Sequence, residues 1–106
     1  MTARLGYEFA KFRLKEGANK EALLTASVAM DEGFFPEQEG FVSHTLIELD
    51  GDEYVDIVVA TTQEQAEKMC GNWQGNKYCE AFLNHIDPDT VSIGFGTSLT
   101  NTNKEA

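Results

Sequence analysis

The sequence predicts an α+β fold with the ferredoxin-like order β-α-β-β-α-β, in which one antiparallel four-stranded sheet carries helices on one face. Three observations support it: stretches of alternating apolar residues, stretches with apolar residues at helical spacing, and an Asp-Gly turn at 50–52 between two β-rich stretches. With 106 residues, 42% of them hydrophobic, the chain has material for a single domain. We therefore expect one domain over 1–106, with its core at about 6–95 and a loosely ordered tail at 97–106.

The first half of the chain predicts a strand, a helix and a hairpin strand. The alternation in "YEFAKFRL" indicates a strand at 7–14, and Asn19 is a plausible N-cap for the following helix. That helix extends from about 19 to 34, and Pro36 ends it. Its apolar stripe consists of Leu23, Ala26, Met30 and Phe34. A second strand is predicted at 41–49.

The second half continues with a strand at 54–60 and a helix that is split in two. Either Thr61 with Glu64 or Thr62 with Gln65 can form the capping box at the start of this helix. The segment "GNWQGN" at 71–76 interrupts it, and a second short helix follows. The apolar stripe of the short helix consists of Cys79, Phe82, Leu83 and Ile86. After "DPD", the last strand is predicted at 90–95.

The third strand is apolar on both of its faces. Val55, Ile57 and Val59 point one way, whereas the opposite face carries the single charge, Asp56, among apolar residues. The helices can cover only one face of the sheet. We expect a second copy to cover the other, which predicts a homodimer that joins through its sheet faces. The alternative is a monomer with a partly apolar exposed sheet.

Composition and charge exclude several classes of function. Eight basic residues against 18 acidic ones give a net charge of −10, which disfavours binding to nucleic acid and to anionic membrane surfaces. No apolar stretch is long enough to cross a membrane, and the N-terminus does not resemble a signal peptide. We expect a cytoplasmic protein in which Cys70 and Cys79 are free thiols. The two histidines have no metal-ligand spacing, so no metal site is expected.

Three stretches carry a resemblance to a known family: "YEFAKFRLKEGANKEALL", "EGFVSHTLIELDGDEYVDIVVATTQEQAEKM" and "CEAFLNHIDPDTVSI". Over about residues 6 to 95 the chain resembles the dimeric α/β-barrel superfamily and, within it, the antibiotic-biosynthesis-monooxygenase-like proteins. The resemblance implies a homodimer whose two sheets form a barrel, with a pocket between sheet and helices in each subunit. Some members of this family oxidise polycyclic phenols or quinols with molecular oxygen and no metal or flavin, and we accordingly expect no cofactor.

Other members of the family degrade haem, using an Asn on the first strand with a Trp and a His on the second helical segment. Trp73 matches that Trp, and His85 is the only histidine that follows it. The first strand contains no Asn, and Glu8 is its nearest inward-capable polar residue. This departure argues against haem degradation, as does the negative charge of the chain, which disfavours a ligand with two propionates.

Six residues are the candidates for a pocket. His44 and Asp56 are the candidate catalytic residues, since a cofactor-free oxidation needs a base that forms the phenolate. The candidate substrate-binding residues are Tyr7, Tyr54, Trp73 and Tyr78.

Each of the most informative candidates has a structural alternative. Trp73 is either a pocket wall or lid between two glycines or a core anchor. His44 shares a face with Asp56 only if the hairpin loop at 50–52 has three residues; otherwise it is a surface histidine. Asp56 is either a pocket acid or one half of a structural ion pair with Lys11 or Arg13, and Glu8 has the same ambiguity.

Two functions therefore stay open. The first is a cofactor-independent monooxygenase that acts on a small aromatic substrate of the phenol or quinol type. The second is a non-catalytic dimeric module for ligand binding or assembly, which predicts that apolar side chains fill the space between sheet and helices. Those side chains are Leu23, Met30, Met69 and Phe82.

Overall fold

The computed structural model describes residues 4–102. Its strands are β1 (Gly6–Arg13), β2 (Phe41–Glu48), β3 (Glu53–Ala60) and β4 (Ser92–Thr97), and its helices are α1 (Lys20–Gly33), α2 (Gln63–Gly71) and α3 (Lys77–Leu83). The strands form one antiparallel sheet in the order β2-β3-β1-β4. This is the predicted ferredoxin-like arrangement with a split second helix, and the fold prediction is confirmed.

The last strand differs from the prediction. Residues Pro88–Thr90 form a 3₁₀ turn, in which the carboxylate of Asp87 accepts a hydrogen bond from the backbone N–H of Asp89 at 3.0 Å. The strand therefore starts at Ser92, two residues later than predicted, and it continues to Thr97, the residue with which the predicted tail begins. Residues 103–106 of that tail lie outside the described residues.

Side-chain caps determine where the helices begin. Asn19 accepts a hydrogen bond from the backbone N–H of Ala22 at 2.8 Å, as predicted. Of the two threonines proposed for α2, Thr62 is the N-cap. Asn76 caps α3 by accepting from two backbone N–H groups, and Gly75 before it has a φ of +85°. The split of the second helix thus follows from a left-handed glycine and a new cap.

The hairpin loop between β2 and β3 has three residues, because the N–H of Leu49 donates to the carbonyl of Glu53 at 2.7 Å. Gly51 and Asp52 in this loop both have positive φ, a conformation that glycine adopts readily and that Asp tolerates better than most other residues. His44 is therefore opposite Val58, and Leu46 is opposite Asp56. Of the registers considered from the sequence, this is the one that places His44 and Asp56 on the same face.

The core lies between the inner face of the sheet and the three helices. On the inner face, Phe12, Tyr54 and Val58 are buried. The helices contribute Leu23, Met30, Met69 and Phe82, each at most 1% exposed. The predicted apolar stripes of the helices therefore face the sheet.

The outer face of the sheet carries apolar side chains that are partly exposed to solvent. Phe9 is 44% exposed and its ring stacks on that of Tyr7, with 5.9 Å between ring centroids. Ile57 lies opposite Phe9 in the register, and Val55 and Val59 follow on the same face. All three are only partly buried, and no helix in the described part of the chain packs on this side. None of the helices between residues 4 and 102 is long and apolar enough to span a bilayer.

Gly6 provides a test of how tightly β1 packs against the start of α2. A Cβ at this position would lie 2.2 Å from backbone atoms of Thr62 and Gln63, which cannot move without shifting the helix. We expect Gly6→Ala to lower the free energy of unfolding by about 2 kcal/mol or more.

The matched control is Gly71→Ala at the end of α2, where a Cβ would meet nothing within 4 Å. This variant should be as stable as the wild type or slightly more stable, because alanine has the higher helix propensity. Urea titration measures the free energy of unfolding of both variants. If Gly6→Ala were as stable as Gly71→Ala, this would contradict the close packing of β1 on α2.

Candidate active site

A cavity of about 370 Å³ lies between the inner face of the sheet and helices α2 and α3. Most of its wall is apolar, and its side chains come from the sheet and from both helices. The apolar part includes Ala10, Phe12, Trp73, Phe82, Ile86 and Ile93. Two buried carboxyl groups, those of Glu8 and Asp56, also belong to the wall. An apolar enclosure with a few converging polar groups is the usual form of a small-ligand site.

His44 links the cavity to the surface through two short hydrogen bonds. Its Nε2 lies 2.6 Å from Oδ1 of Asp56, and its Nδ1 lies 2.6 Å from Oδ1 of Asp31 on α1. The side chains of His44 and Asp56 are each 2% exposed, whereas that of Asp31 is 46% exposed. The ring of Phe35 lies against the imidazole at 4.4 Å between centroids and holds it in place. The three side chains form a continuous string from solvent to the cavity wall.

The pKa values of both buried members of this string, His44 and Asp56, are raised. Burial lowers the pKa of His44, but the hydrogen bonds and charges of Asp56 and Asp31 more than offset it, so the pKa is raised. Burial raises the pKa of Asp56, against the lowering effect of His44. Both shifts favour the protonated form of the group concerned, and the hydrogen bond between the two side chains couples their titrations.

The alternative ion pair of Asp56 with a basic residue of the first strand is wrong. Lys11 and Arg13 lie on the outer face, where both approach the carboxylate of Glu53 at 3.6 and 4.0 Å. Their parity on β1 is opposite to that of Ala10, the residue that pairs with Asp56. The partner of Asp56 is a neighbour on β2 instead.

Glu8 is a buried acid of the cavity wall that is not among the six candidate residues predicted from the sequence. It is 3% exposed, and its Oε1 has no hydrogen-bond partner among residues 4–102. Burial raises its pKa to about 7; a hydrogen bond with Cys70 lowers it and the charge of Asp56 raises it further. The signal that could have identified it is the alternation of side chains along β1, because Glu8 and Phe12 are four residues apart and therefore lie on the same, inward face.

Trp73 combines both of its proposed roles. It is 9% exposed and packs edge-to-face on Phe34, Phe35 and Phe82, as a core anchor does. It also forms part of the cavity wall, and its indole N–H has no acceptor. A buried indole N–H normally finds a partner, so this unpaired donor distinguishes Trp73 from an ordinary core residue.

The three tyrosines predicted for the pocket are not in its wall. Tyr7 lies on the outer face, because it shares the parity of Phe9. Tyr54 is on the inner face, but its ring is buried against Phe12 with 5.7 Å between centroids. Tyr78 packs over Gly33, away from the cavity. The structure therefore places Tyr7, Tyr54 and Tyr78 outside the cavity wall, contrary to the expectation, and Trp73 in it, and the binding of a substrate by Trp73 stays a prediction.

The cysteines are both free thiols. Burial raises the pKa of each to about 12, so neither is a thiolate at neutral pH. Within residues 4–102, no group of His, Cys, Asp and Glu side chains is arranged to hold a metal ion.

The chain has the fold of the antibiotic-biosynthesis-monooxygenase-like α+β proteins. A mutant form of SnoaB, a cofactor-independent oxygenase from Streptomyces nogalater, superposes with a TM-score of 0.71 at 21% identity, covering 97% of this chain and 100% of that one. NE2512 from Nitrosomonas europaea, of unknown function, has a TM-score of 0.71 at 8% identity, covering 98% of each chain.

The fold also occurs in a protein of different activity. The haem-degrading protein Rv3592 from Mycobacterium tuberculosis has a TM-score of 0.63 at 13% identity, covering 97% of this chain and 100% of that chain. No family model matches the sequence, and no curated protein matches it. At these identities the likeness establishes the fold alone.

Glu8 makes a prediction for the pH dependence of stability. Its pKa is about 7 in the folded chain against 4.5 as the ordinary value, so the folded state binds the proton more tightly. The resulting stabilisation is full below pH 4.5 and is lost as the pH rises through 7. We expect Glu8→Gln to remove about 3 kcal/mol of the decline in unfolding free energy between pH 4.5 and pH 8.

Urea titrations at both pH values measure this difference, and Glu16→Gln, at an exposed position, is the matched control. Parallel declines in the wild type and Glu8→Gln would show that Glu8 is ionised normally.

Proposed function

We propose that this chain is a monooxygenase that oxidises a small phenol or quinol with molecular oxygen and without a bound cofactor. The observation that carries the proposal is the apolar cavity whose wall contains Asp56, a buried carboxyl hydrogen-bonded to His44. SnoaB, a cofactor-independent oxygenase, shares the fold and supports the reaction class. The cavity volume of about 370 Å³ is at the small end for ligand sites and suits a ligand of one or two fused rings.

The residues of the cavity have distinct roles in this reaction. Trp73 and Phe82 provide aromatic surfaces for the ring of the substrate. Asp56 takes the phenolic proton, because a phenolate gives up an electron to oxygen far more readily than a phenol. His44 orients Asp56 and shares the proton, and Asp31 holds the other side of the imidazole.

The non-catalytic alternative required the space between sheet and helices to be filled. Leu23, Met30, Met69 and Phe82 are indeed buried there, as that alternative expected. A cavity nevertheless lies beside Trp73, with two carboxyl groups in its wall. This arrangement supports the enzyme rather than the assembly module.

Oxygen uptake in metal-free buffer tests the proposed function, with phenol, 1-naphthol and simple quinols as the panel. We expect Asp56→Asn to lower kcat roughly 100-fold or more, because the amide cannot accept the phenolic proton. Trp73→Ala should raise KM, since it removes an aromatic wall. Asp50→Asn, in the exposed hairpin loop, is the matched control and should keep the wild-type rate. The absence of uptake by the wild type across the panel would refute the proposal.

We also propose that the protein is a cytoplasmic homodimer joined through the outer face of its sheet. The partly exposed apolar side chains of Phe9, Ile57 and Val59 support this interface, as does the family resemblance. Two free thiols are compatible with a reducing compartment.

Ile57→Lys tests the dimer, because a charge at the centre of an apolar interface is desolvated without a partner. We expect light scattering to give twice the chain mass for the wild type and the chain mass for Ile57→Lys. Val28→Lys is the matched control, since Val28 is 52% exposed on α1 and should leave the dimer intact. A wild type that is monomeric at micromolar concentration would overturn this interface.

A further inference from the structure

The wall of the cavity contains a second buried carboxyl group, that of Glu8, to which the reaction above assigns no role. Glu8 lies on β1 and is 3% exposed. Its Oε1 has no hydrogen-bond partner in the described part of the chain, and its hydrogen bond to Cys70 involves a weak thiol donor. A carboxyl that is buried for structural reasons is normally paired with a cation or with several donors.

Within residues 4–102 no lysine or arginine pairs with Glu8, and the charge of His44 lowers its pKa by less than burial raises it. The basic residues of the same strand, Lys11 and Arg13, lie on the opposite face with Glu53. The titratable groups that face Glu8 are Cys70 on α2, Asp56 on β3 and His44 on β2, and Glu80 on α3 belongs to the same cavity wall. In this acidic and apolar setting, the pKa of Glu8 is raised to about 7, so a large fraction of the carboxyl is a neutral acid at neutral pH.

We propose that Glu8 is a second catalytic residue, a carboxylic acid that hydrogen-bonds to oxygen added to the substrate and gives its proton to the oxygen atom that leaves as water. The inference rests on the proposed oxygenase function. It assigns different tasks to the two carboxyl groups of the cavity, with Asp56 as the base and Glu8 as the acid. Two carboxyls whose surroundings differ in this way are a recurrent means of dividing acid and base roles.

The reaction balances with these two groups and molecular oxygen as the oxidant. Asp56 takes the phenolic proton; the phenolate is oxidised by O₂, a carbon–oxygen bond forms, and the peroxide anion takes the proton back from Asp56. The carbon that bears the hydroperoxide then loses its hydrogen as a proton to Asp56, and the C–H electron pair becomes the second bond of a carbonyl. The O–O bond breaks, and the departing hydroxide takes the proton of Glu8 and leaves as water. Transfer of the proton from Asp56 to Glu8 restores both groups, so phenol and O₂ give quinone and water.

If Glu8 is the acid, the decline of kcat at alkaline pH should follow the ionisation of Glu8. Because burial raises the pKa of Glu8 to about 7, its acid form is present at neutral pH and disappears above it. The wild-type kcat for 1-naphthol should therefore fall as the pH rises above about 7. Glu8→Gln keeps the size of the side chain but has no proton to give, so kcat should fall roughly 100-fold and lose the alkaline limb, with KM little changed.

Glu67→Gln, on the exposed face of α2, is the matched control and should retain both the wild-type kcat and its alkaline limb. A purely structural role for Glu8 would lower the melting temperature and raise KM but leave the pH limb in place. That result, or a wild-type kcat in Glu8→Gln, overturns the proposal for Glu8 and leaves the oxygenase function standing.

A second measurement does not depend on turnover. When 1-naphthol binds to Asp56→Asn in the absence of oxygen, the infrared carbonyl band of the protonated Glu8 carboxyl should shift, and this band should be missing when Glu8→Gln is added to Asp56→Asn. An unshifted band contradicts contact between Glu8 and the ligand even if oxygen uptake is normal. If the wild type takes up no oxygen with any phenol, the oxygenase function fails and the catalytic role of Glu8 fails with it.

Discussion

The hydrogen bond between His44 and Asp56 joins the fold of this chain to its chemistry. A carboxyl that is 2% exposed in a central strand is destabilising by several kcal/mol unless it is paired. His44 provides the partner only because the hairpin loop has three residues, which places both side chains on the inner face. A shift by one residue would turn His44 to the outer face and leave Asp56 unpaired. The positive φ angles of Gly51 and Asp52, far from the cavity, therefore determine the composition of its wall.

The same alternation separates two kinds of charged residue on one sheet. On the outer face, Lys11 and Glu53 pair at 3.6 Å near solvent, where such contacts contribute little to stability. On the inner face, Glu8 and Asp56 are buried with no lysine or arginine of residues 4–102 beside them, and burial raises the pKa of both carboxyls. The sheet thus carries ordinary surface ion pairs on one side and perturbed acids on the other. Burial, rather than the number of charges, makes the inner face chemically distinctive.

Much of the fold could be predicted from local signals, because periodicity and caps are properties of adjacent residues. The Asn19 cap, the split of the second helix and the doubly apolar third strand are of this kind. The start of the last strand was missed because the Asp87 cap turns Pro88–Thr90 into a 3₁₀ turn.

The candidate site was less predictable, because it depends on register and on distant contacts. The sequence named Asp56 and His44 but left their pairing open, since loop length alone does not determine the turn. No local pattern indicates Asp31, because its contact with His44 joins α1 to β2 and exists only in the folded chain. Tyr7, Tyr54 and Tyr78 were chosen for their chemistry, and parity or local packing directs each of them elsewhere. Glu8 had the correct parity, but its raised pKa is a consequence of burial that only the assembled sheet and helices produce.

The overall charge of −10 and the acidic cavity together constrain how a ligand can enter. An anion would meet the field of the whole chain and then two carboxyl groups in an apolar enclosure, and both effects oppose binding. A phenol avoids both, because it enters as a neutral molecule and becomes an anion only when its proton passes to a cavity carboxyl. That transfer converts a carboxylate and a neutral phenol into a neutral carboxylic acid and a phenolate. The cavity therefore contains one negative charge before and after the proton moves. A neutral acid is therefore the kind of substrate that this electrostatic environment admits and activates.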